Sequence, residues 1–166
     1  MSNIYWLTFK AARKSIYMTH SYFVPDRALR EVLKERARAG VDVRVLLPNR
    51  FIDGKTIRWA SQRYFAEFLE AGVKVYEYQP TMIHSKTIVV DGKWSIVGSA
   101  NLDVRSTELN KENVLCILEN DFAAELEKTF FEDLKRAKEF KIGMWKKRSW
   151  PRKLRERIAT LFEEQY

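Results

Sequence analysis

The strongest constraint on this chain is the alternation of its apolar patterns through residues 3–78. Ile4, Leu7 and Ala11 recur at helical spacing over 3–14. Residues 15–19 are short and strand-like. Leu29, Val32, Leu33 and Ala37 share one face of a helix over 26–39, which Gly40 ends. Residues 41–47 read as a strand, apolar at alternate positions and then continuously. A further helix spans 56–71, with Ile57, Ala60, Tyr64 and Phe68 inward and Gly72 as its stop, and a strand follows over 73–78. Such alternation implies parallel strands with helices packed on them. The character then changes. Strands over 83–90 and 94–97 are joined through Asp91-Gly92, a tight-turn pair. Another strand covers 114–118, and a long helix 121–140. The expected fold is α/β: a mixed, largely parallel central sheet flanked by helices on both faces.

At 166 residues the chain suits one domain with a real core. No apolar run is long enough to span a membrane, and the N-terminus lacks the basic-then-apolar pattern of a signal peptide. The single cysteine, Cys116, excludes an internal disulfide and reads as a buried strand residue. A net charge of +8 points to an anionic partner: nucleic acid, acidic lipid or a phosphate-bearing substrate. Composition shifts at Lys141, so a compact domain over 1–140 is expected before a basic, Trp-containing tail over 141–166. That tail, with Trp145 and Trp150 among many Lys and Arg, suits either a solvated helix or contact with anionic lipid headgroups.

Chemistry concentrates in one stretch. His84 and Lys86 stand two apart on the expected strand, so their side chains leave one face. Ser99 and Asn101 follow the next strand on a loop that can return to the same end of the sheet. An imidazole, an ammonium, a hydroxyl and an amide then converge. Together they form a phosphate site with a nucleophile beside it.

The string His84-x-Lys86-x4-Asp91-x6-Gly98-Ser99-x-Asn101 matches in full the HKD signature of the phospholipase D superfamily, which the chain resembles from about Phe9 to Trp150. Tyr22-Phe23-Val24-Pro25-Asp26, Ala39-Gly40-Val41-Asp42-Val43, Leu69-Glu70-Ala71-Gly72-Val73 and Asn101-Leu102-Asp103-Val104-Arg105-Ser106 are similar to its cardiolipin synthase branch. The resemblance implies that His84 attacks phosphorus and becomes a phosphohistidine. It implies that Lys86 and Asn101 hold the non-bridging oxygens, with Ser99 in the same pocket. Glu112 matches the family acid that orients the nucleophilic imidazole. Asp91 and Gly98 belong to the signature, but a turn aspartate and a loop glycine fit structural roles. His20 and Tyr22 follow the first strand, where ligands bind in open α/β sheets, and are candidates for the headgroup pocket. His20-Ser21-Tyr22 departs from the family's commoner Thr-Pro-Tyr.

The implied reaction needs two histidines, a nucleophile and a general acid, and no metal or other cofactor. This sequence carries one motif. Two chains would therefore pair as a homodimer, or the chain is the C-terminal half of a two-motif enzyme. Phosphatidyl transfer is the leading expectation, with cardiolipin made from phosphatidylglycerol, peripheral on the inner membrane of a bacterium. A homodimeric phosphodiesterase or endonuclease and an inactive half-enzyme that binds anionic membranes are the alternatives.

Overall fold

The computed structural model describes residues 2–160. The chain runs α1 (Ser2–Ala11), β1 (Ser15–His20), α2 (Arg27–Arg38), β2 (Asp42–Pro48), α3 (Lys55–Arg63), α4 (Phe65–Glu70), β3 (Lys74–Tyr78), β4 (Lys86–Val90) and β5 (Trp94–Gly98). A π-helical turn (Arg105–Leu109) precedes β6 (Val114–Leu118), α5 (Asn120–Leu134), β7 (Ala137–Glu139), α6 (Ile142–Lys146) and α7 (Trp150–Thr160).

The strands form one mixed sheet in the order β6-β5-β4-β1-β2-β3-β7. Only β1–β2 and β2–β3 are parallel; the other pairings are antiparallel. The α/β class and the mixed sheet stand, but the expected largely parallel character is confined to the first three strands. The correction has a simple cause. Helical crossovers enforce parallel pairing only as far as β3, whereas β4, β5 and β6 pair antiparallel, β4 and β5 through a tight turn.

Alternation along the strands builds two apolar faces. Ile16, Met18, Val43, Val45, Val75 and Ile88 face α1, α2 and α4 with Phe9, Leu33 and Phe68. Tyr17, Leu46, Tyr76 and Tyr78 face α5 through Phe130 and Phe131. Fully burying side chains of this size is worth about 1.5–3 kcal/mol each. Asp26 caps α2 by accepting the Leu29 N–H at 2.9 Å, and Gly40 leaves the helix at φ +92°.

Three elements differ from the sequence expectation. The helix expected over 56–71 breaks at Tyr64 into α3 and α4, because α3 packs on α7 while α4 packs on β3 and α6. The long helix stops at Leu134, and Ala137–Glu139 instead pairs with β3 as an edge strand. Cys116 is exposed, not buried, because β6 is the opposite edge of the sheet.

The basic segment folds back on the domain. Trp145 is 3% exposed and packs against Phe65 and Phe140, with the Arg148 and Arg152 guanidiniums 4.7 and 4.8 Å from its ring centre. Glu156, 1% exposed, pairs with Arg148 at 3.0 Å. Trp150 stays 71% exposed. No described helix is long and apolar enough to cross a membrane.

Candidate active site

Strand direction fixes where the chemistry gathers. β1, β2 and β3 end at one edge of the sheet; β4 and β6 begin there and β5 ends there. Residues 21–26, 49–54, 79–85 and 99–113 therefore all emerge at that edge. The segment 79–85 crosses the ends of β2 and β1 on its way to β4, and it carries His84 over the carboxyl ends of the parallel strands. That is where open α/β sheets hold ligands.

His84 lies just before β4, not within it as expected, and its side chain is exposed. It still meets Lys86, whose Nζ is 2.9 Å from His84 Nδ1 and 3.3 Å from Nε2. The same ammonium donates to the His84 carbonyl at 3.0 Å and to Ser21 Oγ at 3.2 Å. Burial lowers the Lys86 pKa below the ordinary lysine value, against the pull of Glu112, Asp53 and Asp103. Lys86 thus stands as a partly desolvated cation beside an imidazole.

Ser99 and Glu112 are hydrogen-bonded to each other, and Ser99 Oγ also accepts the Asn113 N–H at 3.1 Å. Asn110 donates to the other Glu112 oxygen at 3.3 Å. Asn101 is buried, and its Oδ1 accepts the Tyr22 N–H at 3.3 Å. Glu112 forms no hydrogen bond to the His84 of its own motif.

Gly98 makes this arrangement sterically feasible. A Cβ there would stand 2.2 Å from the Asn113 carbonyl oxygen and 2.8 Å from Val114 Cα. Asp91 follows the end of β4 that lies away from Lys86. It adopts φ +55° and gathers the backbone N–H groups of Arg13, Lys14 and Ser15 at 2.7–3.2 Å. Burial acts to raise its pKa, yet these three donors prevail and hold it below the usual carboxylate value.

Tyr22 and His20 part company. Tyr22 meets the His84 ring edge-on at 6.2 Å between centroids, and its hydroxyl donates to Asp53 at 2.7 Å. Burial and that bond push the phenol pKa up to about 12, so Tyr22 is a donor and a wall and does not act as a base. His20 is 1% exposed, with neither ring nitrogen hydrogen-bonded. It pairs across the sheet with Lys86, and its ring lies edge-on to Tyr5. Burial, then the Lys86 charge, lowers its pKa to about 3, which keeps the ring neutral. Its side chain leaves the final residue of β1 on the core face that Met18 shares.

Sequence reasoning missed Asp53, Asp103 and Asn110. Asp53 sits on the loop after β2, and nothing in its local pattern connects it to Tyr22. Asp103, Arg105 and Asn110 frame a π-helical turn, a rare geometry that often marks functional sites. Among the described residues no group of His, Cys, Asp and Glu is placed to hold a metal ion.

The fold is phospholipase D-type, and the motif side chains gather at one end of its sheet. Among solved structures, the chain resembles Nuc of Salmonella typhimurium, a phospholipase D family member, with a TM-score of 0.72 and 21% identity, covering 84% of this chain and 90% of that one. It also resembles the phosphatidylserine synthase of Haemophilus influenzae Rd KW20, with a TM-score of 0.75 and 18% identity, covering 96% of this chain and 43% of that one. These two likenesses concern the fold.

Residues 7–134 match the family described as cardiolipin synthase, PLD-like domain, and the chain belongs to that family. It is 39% identical over 152 residues to cardiolipin synthase A of Proteus mirabilis, covering 92% of this chain and 31% of that protein. It is 38% identical over 161 residues to the cardiolipin synthase of Geobacillus kaustophilus, covering 97% and 32%. The chain thus spans about a third of the length of the cardiolipin synthases it matches.

Proposed function

We propose that this chain supplies one catalytic half-site for phosphatidyl transfer at the surface of an anionic bacterial inner membrane, with phosphatidylglycerol as donor and cardiolipin as product. The observation that carries the reading is the meeting of His84 with Lys86 at the carboxyl edge of the sheet, next to the Ser99–Glu112 pair and Asn101.

In the first step a His84 ring nitrogen attacks phosphorus. A P–N bond forms, the P–O bond to the leaving glycerol breaks, and a second histidine gives that oxygen its proton. In the second step the acceptor alcohol attacks phosphorus, the P–N bond breaks, and the second histidine takes the alcohol's proton. Lys86 and the Asn101 amide stabilise charge on the non-bridging oxygens, and Ser99 sits in the same pocket. Glu112 serves an imidazole. A family acid that does not touch its own motif's histidine suits a site assembled from two motifs, whether in a homodimer or beside a second half. Phe51, Met82 and Leu109, exposed on three of the loops around His84, suit contact with a lipid surface, as does Trp150 on α7.

The test is product analysis by mass spectrometry after incubation with phosphatidylglycerol vesicles in EDTA. Cardiolipin and free glycerol from the native protein, and neither from His84→Ala, is the expected result. Folded, dimeric protein that leaves the vesicles unchanged contradicts the reading. A second reading is a homodimeric phosphodiesterase acting on nucleic acid. It draws on the net charge of +8, which suits a polyanionic substrate. Nicking of plasmid DNA in EDTA, abolished by His84→Ala, supports it.

A further inference from the structure

A cavity of about 220 Å³ opens beside the phosphoryl-binding groups, and the transfer chemistry above does not account for most of its lining. Tyr22, Asn101 and Glu112 belong to both. The remaining wall includes Asp103, Arg105 and Asn110 from the π-helical turn and its flanks, with Thr56 contributed by α3. Asp103 is 3% exposed, and its Oδ1 is fixed by the Ser106 N–H at 2.8 Å. The turn closes through the Asn110 N–H to the Arg105 carbonyl at 2.7 Å, five residues apart. This wider turn places Arg105, Ser106 and Asn110 on one lining.

The chemistry of the wall selects its ligand. Carboxylates, amides and hydroxyls alternate, so donors and acceptors are both on offer. The Arg105 guanidinium offsets the acids and disfavours an ammonium headgroup, while Asp103 and Glu112 disfavour a second anion. A neutral molecule bearing several hydroxyls satisfies such a surface; a simple alcohol leaves buried polar groups unpaired, which is where discrimination is strongest.

We infer that this cavity, walled by Thr56, Asp103 and Asn110, is the subsite for the polyol that attacks or leaves the phosphohistidine, and that it selects glycerol-type vicinal hydroxyls over monohydric alcohols. The inference rests on the phosphatidyl-transfer reading of the same site. Asp103 and Asn110 are specificity-determining residues here, and they act on the alcohol without touching phosphorus.

The experiment is a competition. Phosphatidylglycerol vesicles are incubated with the protein and equal concentrations of deuterated glycerol and ethanol, and the ratio of deuterated phosphatidylglycerol to phosphatidylethanol is read by mass spectrometry. A ratio does not depend on how much protein is active, and a defect in Glu112 slows both alcohols alike. The native protein is expected to favour glycerol. Asn110→Ala, at an exposed position, and Thr56→Val, on α3, are each expected to lower the ratio several-fold. Asp103→Asn is expected to lower it about tenfold, the worth of one hydrogen bond to a charged group. An unchanged ratio in Asn110→Ala and Thr56→Val, with products still formed, overturns the subsite while leaving transfer intact. Absence of cardiolipin, of both exchange products and of phosphatidic acid from the native protein overturns the transfer reading, and the subsite with it; cardiolipin formed with no preference for glycerol over ethanol overturns the subsite alone.

Discussion

Lys86 Nζ lies 2.9 Å from Nδ1 of His84, so the cation of the motif rests on the imidazole of the motif. An ammonium has only donors, so a hydrogen bond from it to the ring takes up a nitrogen lone pair. A phosphoryl oxygen is a stronger acceptor than imidazole and should draw Lys86 away from the ring. Titration of the protein with tungstate, followed by the imidazole NMR signals of His84, should show saturable shifts. Lys86→Met should abolish them and lower turnover by about 10²–10³, the usual cost of removing one such donor. Saturable binding that survives Lys86→Met would show that another group holds the phosphoryl oxygens.

His20 should make the fold acid-sensitive. Its pKa is lowered to about 3 in the folded protein, against roughly 6.5 in an unfolded chain. Between those values the unfolded state binds the proton and the folded state does not. Stability is therefore full above about pH 6.5 and falls by about 1.4 kcal/mol per pH unit below it. In His20→Leu this contribution should vanish. Urea unfolding at pH 7, 6 and 5 should show a steeper decline for the native protein than for the variant, and parallel declines would refute the assignment.

Asp91 should be a stability residue. It collects three backbone N–H groups that link α1 and β1 to the β4–β5 turn. Asp91→Ala orphans those donors and places alanine at φ +55°. A loss of about 2–4 kcal/mol is expected from chemical denaturation. Asp91→Asn tolerates that backbone better and should cost less.

Gly98→Ala should disable the site through the backbone. The added Cβ would meet the Asn113 carbonyl oxygen at 2.2 Å and must push β5 and β6 apart. That shift separates Ser99 from Glu112, so turnover should fall even in protein that remains folded. Circular dichroism beside an activity assay separates this outcome from unfolding.

Much of this was legible in the sequence because periodicity reports local structure. The β1-α2-β2 stretch follows from spacing alone, and the motif string pointed to His84, Lys86, Ser99 and Asn101 as site candidates. What was hidden depends on distant partners. Ala137–Glu139 has little strand propensity and becomes β7 because the edge of β3 needs a partner. Trp145 and Glu156 read as parts of a solvated basic tail until packing against Phe65 and the charges of Arg148 and Arg152 bury them. The polar cavity was equally hidden, since its wall joins α3 to a π-helical turn about fifty residues away.

The most direct test of His84 as nucleophile is mass analysis of the protein quenched during turnover of phosphatidylglycerol and digested under non-acidic conditions. A phosphatidyl or phosphoryl adduct on the peptide bearing His84, discharged by a chase with excess glycerol and absent from His84→Ala, is the predicted result. Sustained turnover with no adduct on that peptide, or turnover that persists in His84→Ala, would contradict it.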